Sequence, residues 1–390
     1  MSSAPVITPR LRYLARRFRR LDAGALVARA RQAAQQHGRW APAVVADMLW
    51  QAAFRAVGFQ DYIDYDFAIL TRAERATYMT SPLSDRLAMQ FDDPAYRHLF
   101  HDKIAFNGTF DGFLRREWMV VTEGGADALR AFAERHGTIV TKEPLGRAGL
   151  GVHRYHAAEV TDWTAFHRGL LARGETLVEE VIRQHEELAA LCAGTVNTTR
   201  VTAFFDGRTT HILAVAQKFG RGAVSDQNAF GGFYAMLDET GRATGAGYDS
   251  CGRVHRSHPE SAVTIADFRL PMFDEVLALV DRAARVVPQV RYVGWDVAVT
   301  PEGPVLVEGN WAAGVYENKP SATGIRTGHR GRYLAAIAAA PVAAPAIPAA
   351  EPASSVREPA GHVPAPVVPS REPAGHVPAP AVPSREPVAA

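Results

Sequence analysis

Three oxygen-bearing side chains, Asp296, Glu308 and Asn310, have the types and spacing of a site for a hard cation. Asp296 lies in the otherwise apolar run Gly294-Trp295-Asp296-Val297-Ala298-Val299-Thr300, and Glu308 ends the run Pro304-Val305-Leu306-Val307. Side chains alternate along a strand, so Glu308 and Asn310 point to one face. If the two runs pair as a hairpin around Pro301-Glu302-Gly303, that face also holds Asp296. Oxygen donors without Cys or His suit magnesium, which often takes substrate phosphates as further ligands. Carboxylates embedded in apolar strands are expected to be buried, and buried charge needs partners.

A second chemical signal is the turn Lys142-Glu143-Pro144-Leu145-Gly146-Arg147-Ala148-Gly149-Leu150-Gly151. Glycines let a backbone approach a ligand closely, and consecutive amides cradle phosphate. Lys142 adds a point charge. No Gly-Lys-Ser/Thr follows, so this is not a P-loop, and no helix opens directly after it, as a dinucleotide fingerprint requires. Arg200 begins an apolar strand after Val196-Asn197-Thr198-Thr199, and Lys218 ends the next strand. Both are candidate catalytic cations for an anionic transferring group, with an ion pair within the sheet as the alternative for Arg200. His153, His211, His255 and His258 lack metal-ligand spacing and are expected to be structural or exposed. His185 is a candidate cap for the helix that follows it. No nucleophile elbow is present.

These residues must be positioned by a mixture of helices and hairpins. The pattern is mostly helical from Leu26 to Phe132, for example over 43–57 and 126–136. Asp61-Tyr62-Ile63-Asp64-Tyr65-Asp66-Phe67 reads as a helix-to-loop corner. Strands are expected over 137–142, 151–156, 175–182, 199–205, 211–218, 292–300 and 304–309, with helices over 163–172, 186–192 and 273–287. Asp206-Gly207 is a hairpin signal. Antiparallel hairpins mixed with helices predict an α+β fold, since a doubly wound sheet would alternate strands with crossover helices.

The ordered set resembles the ATP-grasp superfamily: a lysine-ended strand, a glycine loop, a Glu-Glu strand and a final Asp…Glu-x-Asn hairpin. The sequence is most similar to the sugar-transfer-associated ATP-grasp family, which is related to the α-L-glutamate ligases. The strings that carry this are Asp102-Lys103-Ile104-Ala105-Phe106-Asn107, Val178-Glu179-Glu180-Val181-Ile182-Arg183-Gln184-His185, Val196-Asn197-Thr198-Thr199-Arg200 and Gly294-Trp295-Asp296, within a resemblance running from Tyr62 to Tyr333. The resemblance implies that Lys103 and Lys142 contact ATP phosphates, Lys142 also lying near adenine, and that the loop with Gly146, Gly149 and Gly151 closes as a lid. It implies that Glu179, Glu180, Val181 and Ile182 form the adenine hinge, that Glu187 meets the ribose or is a solvated helix-start carboxylate, that His185 touches ribose if it does not cap its helix, and that Asp296, Glu308 and Asn310 hold one or two Mg2+ ions. The loop Asp226-Gln227-Asn228-Ala229-Phe230-Gly231-Gly232 faces substrate, although Gln227 and Phe230 alter the family's spacing there. The implied organisation is a helical region over 1–132, a lid subdomain over 133–190, a metal and phosphate subdomain over 191–338, and a disordered tail over 339–390.

The implied reaction is ATP-dependent ligation of a carboxylate to an amine through an acyl phosphate, with an amino sugar, a peptide-like metabolite or a surface polymer as acceptor. Two rivals stay open: a kinase using the same nucleotide site, and a non-catalytic nucleotide-binding scaffold. Bulk composition is close to that of an ordinary globular protein. The chain has 390 residues, 47% hydrophobic and 22% charged, with net charge +2, which implies no polyanion partner, and no basic patch with interleaved aromatics suggests nucleic acid. Cys192 and Cys251 give neither a zinc pattern nor a disulfide framework. No signal peptide or membrane span is evident, so a cytoplasmic protein is expected. Six arginines between Arg10 and Arg20, with Leu11, Leu14, Phe18 and Leu21 at helical spacing, read as a solvated docking helix, or alternatively as a peripheral membrane contact. The block from Arg357 to Pro366 recurs from Arg371 to Pro380, and this Pro/Ala-rich tail is expected to stay extended or to bind a partner.

Overall fold

The computed structural model describes residues 23–146 and 149–340. The basic segment from Arg10 to Arg20 and the repeat tail lie outside the described residues, as do Arg147 and Ala148 of the glycine turn. Among the described residues no helix is long and apolar enough to cross a membrane.

The described part begins with helices α1 (Ala23–His37), α2 (Ala41–Phe54), α3 (Phe59–Asp64), α4 (Ser81–Phe91) and α5 (Lys103–Leu114). Strand β1 (Trp118–Val120), helix α6 (Ala126–His136), β2 (Thr138–Lys142), β3 (Val152–His156), α7 (Trp163–Arg173) and β4 (Leu177–Glu180) follow. After the short α8 (Glu186–Leu191) come β5 (Thr199–Phe205), β6 (Thr210–Phe219), β7 (Phe233–Leu237), β8 (Gly247–Tyr248) and β9 (Val254–His255). Helix α9 (Phe273–Ala284), β10 (Tyr292–Thr300), β11 (Gly303–Asn310) and α10 (Arg330–Ala339) complete the described part.

Two antiparallel sheets result, one of four strands in the order β1-β4-β2-β3 and one of seven in the order β11-β10-β5-β6-β7-β8-β9. The fold is α+β, as expected. In the smaller sheet, alternation puts Ile139 and Val178 on one face, where they pack against Leu129, Phe132 and Ala133 of α6 and Leu170 of α7. Both helices end by the same device: Gly137 and Gly174 take positive φ, a conformation with little steric cost only for glycine. Strand β1 joins this sheet although it precedes residue 133, where the lid subdomain was expected to begin.

The larger sheet is covered on both sides. All seven residues of β5 are buried. Val201, Ala203 and Phe205 pack with Trp295, Val297 and α9, whose Val276, Leu279, Val280 and Ala283 recur at helical spacing. Phe204 packs on the other side with Tyr292 and with Tyr333 and Ala336 of α10. The seventh strand and its two predecessors, β7 to β9, were not anticipated from sequence, nor was β1. Helix α9 stops at Ala284, short of the expected 287.

The acidic corner 61–67 is a structural hub. Asp66 takes a left-handed conformation and accepts hydrogen bonds from Lys319 (2.6 Å) and the Ser321 amide (2.8 Å), with His37 at 3.0 Å. It thereby ties the N-terminal helices to the segment after β11.

Candidate functional site

A cavity of 390 Å3 is lined by residues of both sheets and of α5. Its walls include Lys103, Lys142, Gly146, Gly149, Glu179, Glu180, Val181, Ile182, Lys218, Asp296, Glu308 and Asn310. Residues drawn from positions more than two hundred apart in sequence therefore meet at one cleft.

The floor is the β10–β11 hairpin. The register places Asp296 directly opposite Glu308, and Gly294 opposite Asn310. Between Asp296 and Val297 the register slips, leaving Val307 as the extra residue of a β-bulge. Bulges re-aim side chains beside sites, and this one lies at the two carboxylates. Asn310 donates from Nδ2 to Glu308 Oε1 at 3.2 Å. Desolvation and the adjacent Asp296 charge push the Glu308 carboxyl up from its usual range.

Asp296 is already strongly partnered. Arg200 donates from Nε to Oδ1 (2.6 Å) and from Nη2 to Oδ2 (2.9 Å), and Lys218 donates to Oδ2 at 3.2 Å. Burial alone would raise the Asp296 carboxyl, but the two cations hold it well below the usual range. Arg200 also donates to the Ala313 carbonyl (2.6 Å) and lies over the Tyr316 ring at 5.4 Å. A Cβ at Gly294 would sit 3.0 Å from Arg200 Nη1 and 2.7 Å from the Ala313 oxygen, so glycine clears the space this guanidinium occupies. Lys218 pairs with Asp226 (3.3 Å) as well as Asp296. Although burial opposes its charge, these two carboxylates raise the Lys218 ammonium above its ordinary range. Asp226 in turn accepts from the Thr198 amide (2.9 Å) and hydroxyl (2.6 Å).

The opposite wall comes from the smaller sheet. Glu179, 3% exposed, accepts from Asn107 Nδ2 (2.7 Å), from Arg116 Nη2 (3.0 Å) and from Lys142 Nζ. Burial pushes its carboxyl up, yet Arg116 and Lys142 together hold it well below its usual range. The Glu179 carboxylate is thus turned inward and orients Lys142. Glu180 points the other way and accepts from the Glu117 amide at 3.1 Å. Val181 and Ile182 leave the strand and line the cavity with apolar surface.

Lys103, at the start of α5, donates to the carbonyls of Gly146 and Glu143 (3.3 Å). Burial lowers its ammonium. Asp102 caps α5 by accepting from the amides of Ile104 (2.8 Å) and Ala105 (3.3 Å), which fixes where Lys103 leaves the helix. In the turn itself Gly149 has φ of 74°, and a Cβ there would meet Ser225 Oγ at 2.6 Å.

Of the expected site residues, Gly151, Glu187 and Arg200 do not line the cavity. Glu187 is exposed on α8, whose N-terminus is capped by His185 Nδ1 accepting from the Glu187 amide at 3.3 Å. Arg200 lies behind Asp296. Among the other histidines, His258 is buried against the Gly220 carbonyl at 2.9 Å, while His255 and His211 pair with Asp249 and Asp206. Sequence reasoning did not single out Arg116, Arg154 or Trp311. Arg116 sits in the featureless run Leu114-Arg115-Arg116-Glu117, and only the fold brings it to Glu179. Asn107 closes one of the resembling strings, but its partner could not be read there. Among the described residues no group of three or more His, Cys, Asp or Glu side chains forms a metal cluster. The candidate donor set is two carboxylates and an amide.

Residues 164–326 match the family model described as sugar-transfer associated ATP-grasp, a span that contains β4 to β11 and ends after the Asn310 hairpin. The region that carries Lys218, Asp296, Glu308 and Asn310 is thus similar to that family. Similar solved structures include the ATP-grasp ligase PsnB complexed with a minimal precursor, at 14% identity and a TM-score of 0.37 over 63% of this chain and 64% of that one. Another is PsnB complexed with precursor peptide PsnA2 and AMPPNP, at 15% identity and a TM-score of 0.38 over 66% of each chain. A third is D-alanyl-alanine synthetase A from Vibrio cholerae O1 biovar eltor str. N16961, at 13% identity and a TM-score of 0.35 over 62% of this chain and 65% of that one. The chain therefore spans slightly less than two thirds of the length of these proteins. No curated protein matches the sequence.

Proposed function

We propose that this protein is an ATP-dependent carboxylate–amine ligase working through an acyl phosphate. The observation that carries the reading is the convergence of Lys103, Lys142 and Lys218 with Asp296, Glu308 and Asn310 on one 390 Å3 cleft. Three ammonium groups suit a triphosphate, and a carboxylate pair with an amide suits the hard cation that accompanies it. The donor chemistry fits magnesium: Glu308 faces Asp296 across the hairpin and Asn310 lies beside it, an all-oxygen set. Glu308, Asn310 and Asp296 would hold one or two ions. When bound, magnesium supplies charge neutralisation on the phosphates.

The chain's own residues divide the remaining work. Val181 and Ile182 offer an apolar seat for adenine after the Glu179-Glu180 strand. Glu179 serves by orienting Lys142. Lys103 and the turn at Gly146 and Gly149 close over the phosphates, with 133–190 as the lid subdomain and 191–338 as the phosphate subdomain. Arg200 holds Asp296 in place from behind. Lys218 faces the transferring group.

In the first step an oxygen of the substrate carboxylate bonds to the γ-phosphorus. The bond to the bridging oxygen breaks, and ADP leaves with the electron pair. In the second, an amine nitrogen bonds to the acyl carbon and loses a proton, while the acyl C–O bond breaks and releases phosphate. No enzyme nucleophile is needed, so positioning and electrostatics carry the catalysis.

An ADP-release screen of amino acids against amino sugars and small peptides tests this. ADP release that requires both an acid and an amine, with inorganic phosphate and an amide as products, is the expected result. A stable phosphorylated product formed without an amine would make the protein a kinase and overturn the ligase reading.

A further inference from the structure

Helix α2 buries one face and leaves the opposite one apolar. Val44 and Met48 enter the core formed with α1 and α3, and Ala52 is buried on the same face. Ala43, Ala46, Trp50 and Phe54 form an exposed stripe at the spacing i, i+3, i+7 and i+11. Trp50 is 55% exposed and Phe54 50%, with ring centroids 4.3 Å apart, and Trp40, just before the helix, is 73% exposed. Large aromatics grouped this way on a helix face mark a contact surface.

The exposed charge along α1 and α2 has one sign. Arg31, Arg39 and Arg55 are exposed. From Ala23 to Arg55 the sole acid is Asp47, which is turned inward to Tyr62 Oη (2.7 Å) and Arg75 (2.8 Å). From Arg10 to Arg55 the sequence holds ten arginines against Asp22 and Asp47, a net +8 that leaves −6 for the rest of the chain to reach the total of +2.

We infer that this face docks on an anionic lipid surface. Tryptophan and phenylalanine enter the boundary between headgroups and acyl chains, where the indole N–H stays hydrated. Arginines at both ends of the helix, Arg39 and Arg55, meet lipid phosphates. A second copy of the chain is a poor occupant, because it would bring the exposed Arg31, Arg39 and Arg55 of one copy against those of the other. The alanines between the aromatics make a shallow strip suited to a fluid surface. The surface is separate from the nucleotide cleft and does not depend on the ligase reading.

The test is cosedimentation of the full chain with vesicles of phosphatidylcholine alone and of phosphatidylcholine with phosphatidylglycerol, together with tryptophan emission. Binding to the anionic vesicles with a blue shift, weakened as salt rises, is expected. Trp50→Ala/Phe54→Ala, with unchanged thermal midpoint and nucleotide affinity, should bind at least about tenfold more weakly. Arg39→Gln/Arg55→Gln should weaken binding while keeping the aromatics. Failure of the wild-type chain to bind anionic vesicles would overturn the proposal, as would equal binding by the aromatic variant. Concentration-dependent dimerisation abolished by the aromatic variant would also overturn it, by assigning the face to a second copy.

Discussion

Replacing Glu179 by glutamine tests the buried network behind the cleft. The side chain keeps its shape but loses the charge that faces Arg116 at 3.0 Å and Lys142. Both cations are then left enclosed without a carboxylate, and an amide must receive Asn107 as well. Removing one member of a buried ion pair costs about 3–5 kcal/mol, most of it the penalty on the charges left behind. For a folded unit of this size each kcal/mol moves the midpoint by about 2 °C, so Tm should fall by about 6–10 °C. Because the cost comes from orphaned charge, Arg116→Met in the same chain should be less harmful than alone. The double variant should recover about 1–3 kcal/mol relative to the sum of the single variants. Thermal and urea unfolding of the four proteins measure this directly. A midpoint shift under about 2 °C, or strict additivity, would refute the reasoning.

Three further outcomes are expected. Arg200→Lys should lower kcat about a hundredfold with a smaller change in KM, because a point charge cannot replace the two-toothed contact with Asp296 and the bond to the Ala313 carbonyl; steady-state kinetics checks it. Gly149→Ala should raise KM for ATP several-fold with little loss of global stability, since both the 74° φ and the 2.6 Å approach to Ser225 Oγ oppose a side chain in the turn; nucleotide titration and a thermal melt separate the two effects. Asp92 gives a pH signature. Burial pushes its carboxyl up to about 7 against the hydrogen bond from the Tyr292 amide (2.8 Å), so the folded state holds the proton more tightly than the unfolded one. Its contribution is full below about pH 4 and is lost as pH rises toward 7. Asp92→Asn should therefore flatten stability between those limits and gain on the order of 1–4 kcal/mol at pH 8 in urea titrations.

Much of the fold was legible because its elements carry strong local signals. The alternation and turn residues of the last hairpin gave its register class, and the pairing of Asp296 with Glu308 follows from it. Helix α6 was legible to the residue because Gly137 ends it. Strands β7 to β9 were not, because short strands among glycines and loops have no period long enough to read, and β1 is held mainly by its partner β4. The cleft's cations were visible by type, but their partners were not. Nothing local to Arg116 or Asn107 tells that they converge on Glu179, nor that Arg200 spends its guanidinium on Asp296. Those pairings are tertiary. They set Glu179 against Lys142 and Arg200 against Asp296, outside the cavity lining. The segment 61–67 looked like a corner and is one, but its aspartates anchor Lys319, more than 250 residues away in sequence.

The most direct test of the nucleotide site is calorimetric titration of a non-hydrolysable ATP analogue with and without magnesium. Wild type should bind with one site per chain and more tightly with magnesium present. Glu308→Gln should lose at least about tenfold in affinity with magnesium, because charge-assisted contacts to a hard cation are each worth more than about 1.4 kcal/mol. Without magnesium its affinity should stay close to wild type. No detectable binding by wild type, or a Glu308→Gln protein that binds the magnesium complex as tightly as wild type, would contradict the account.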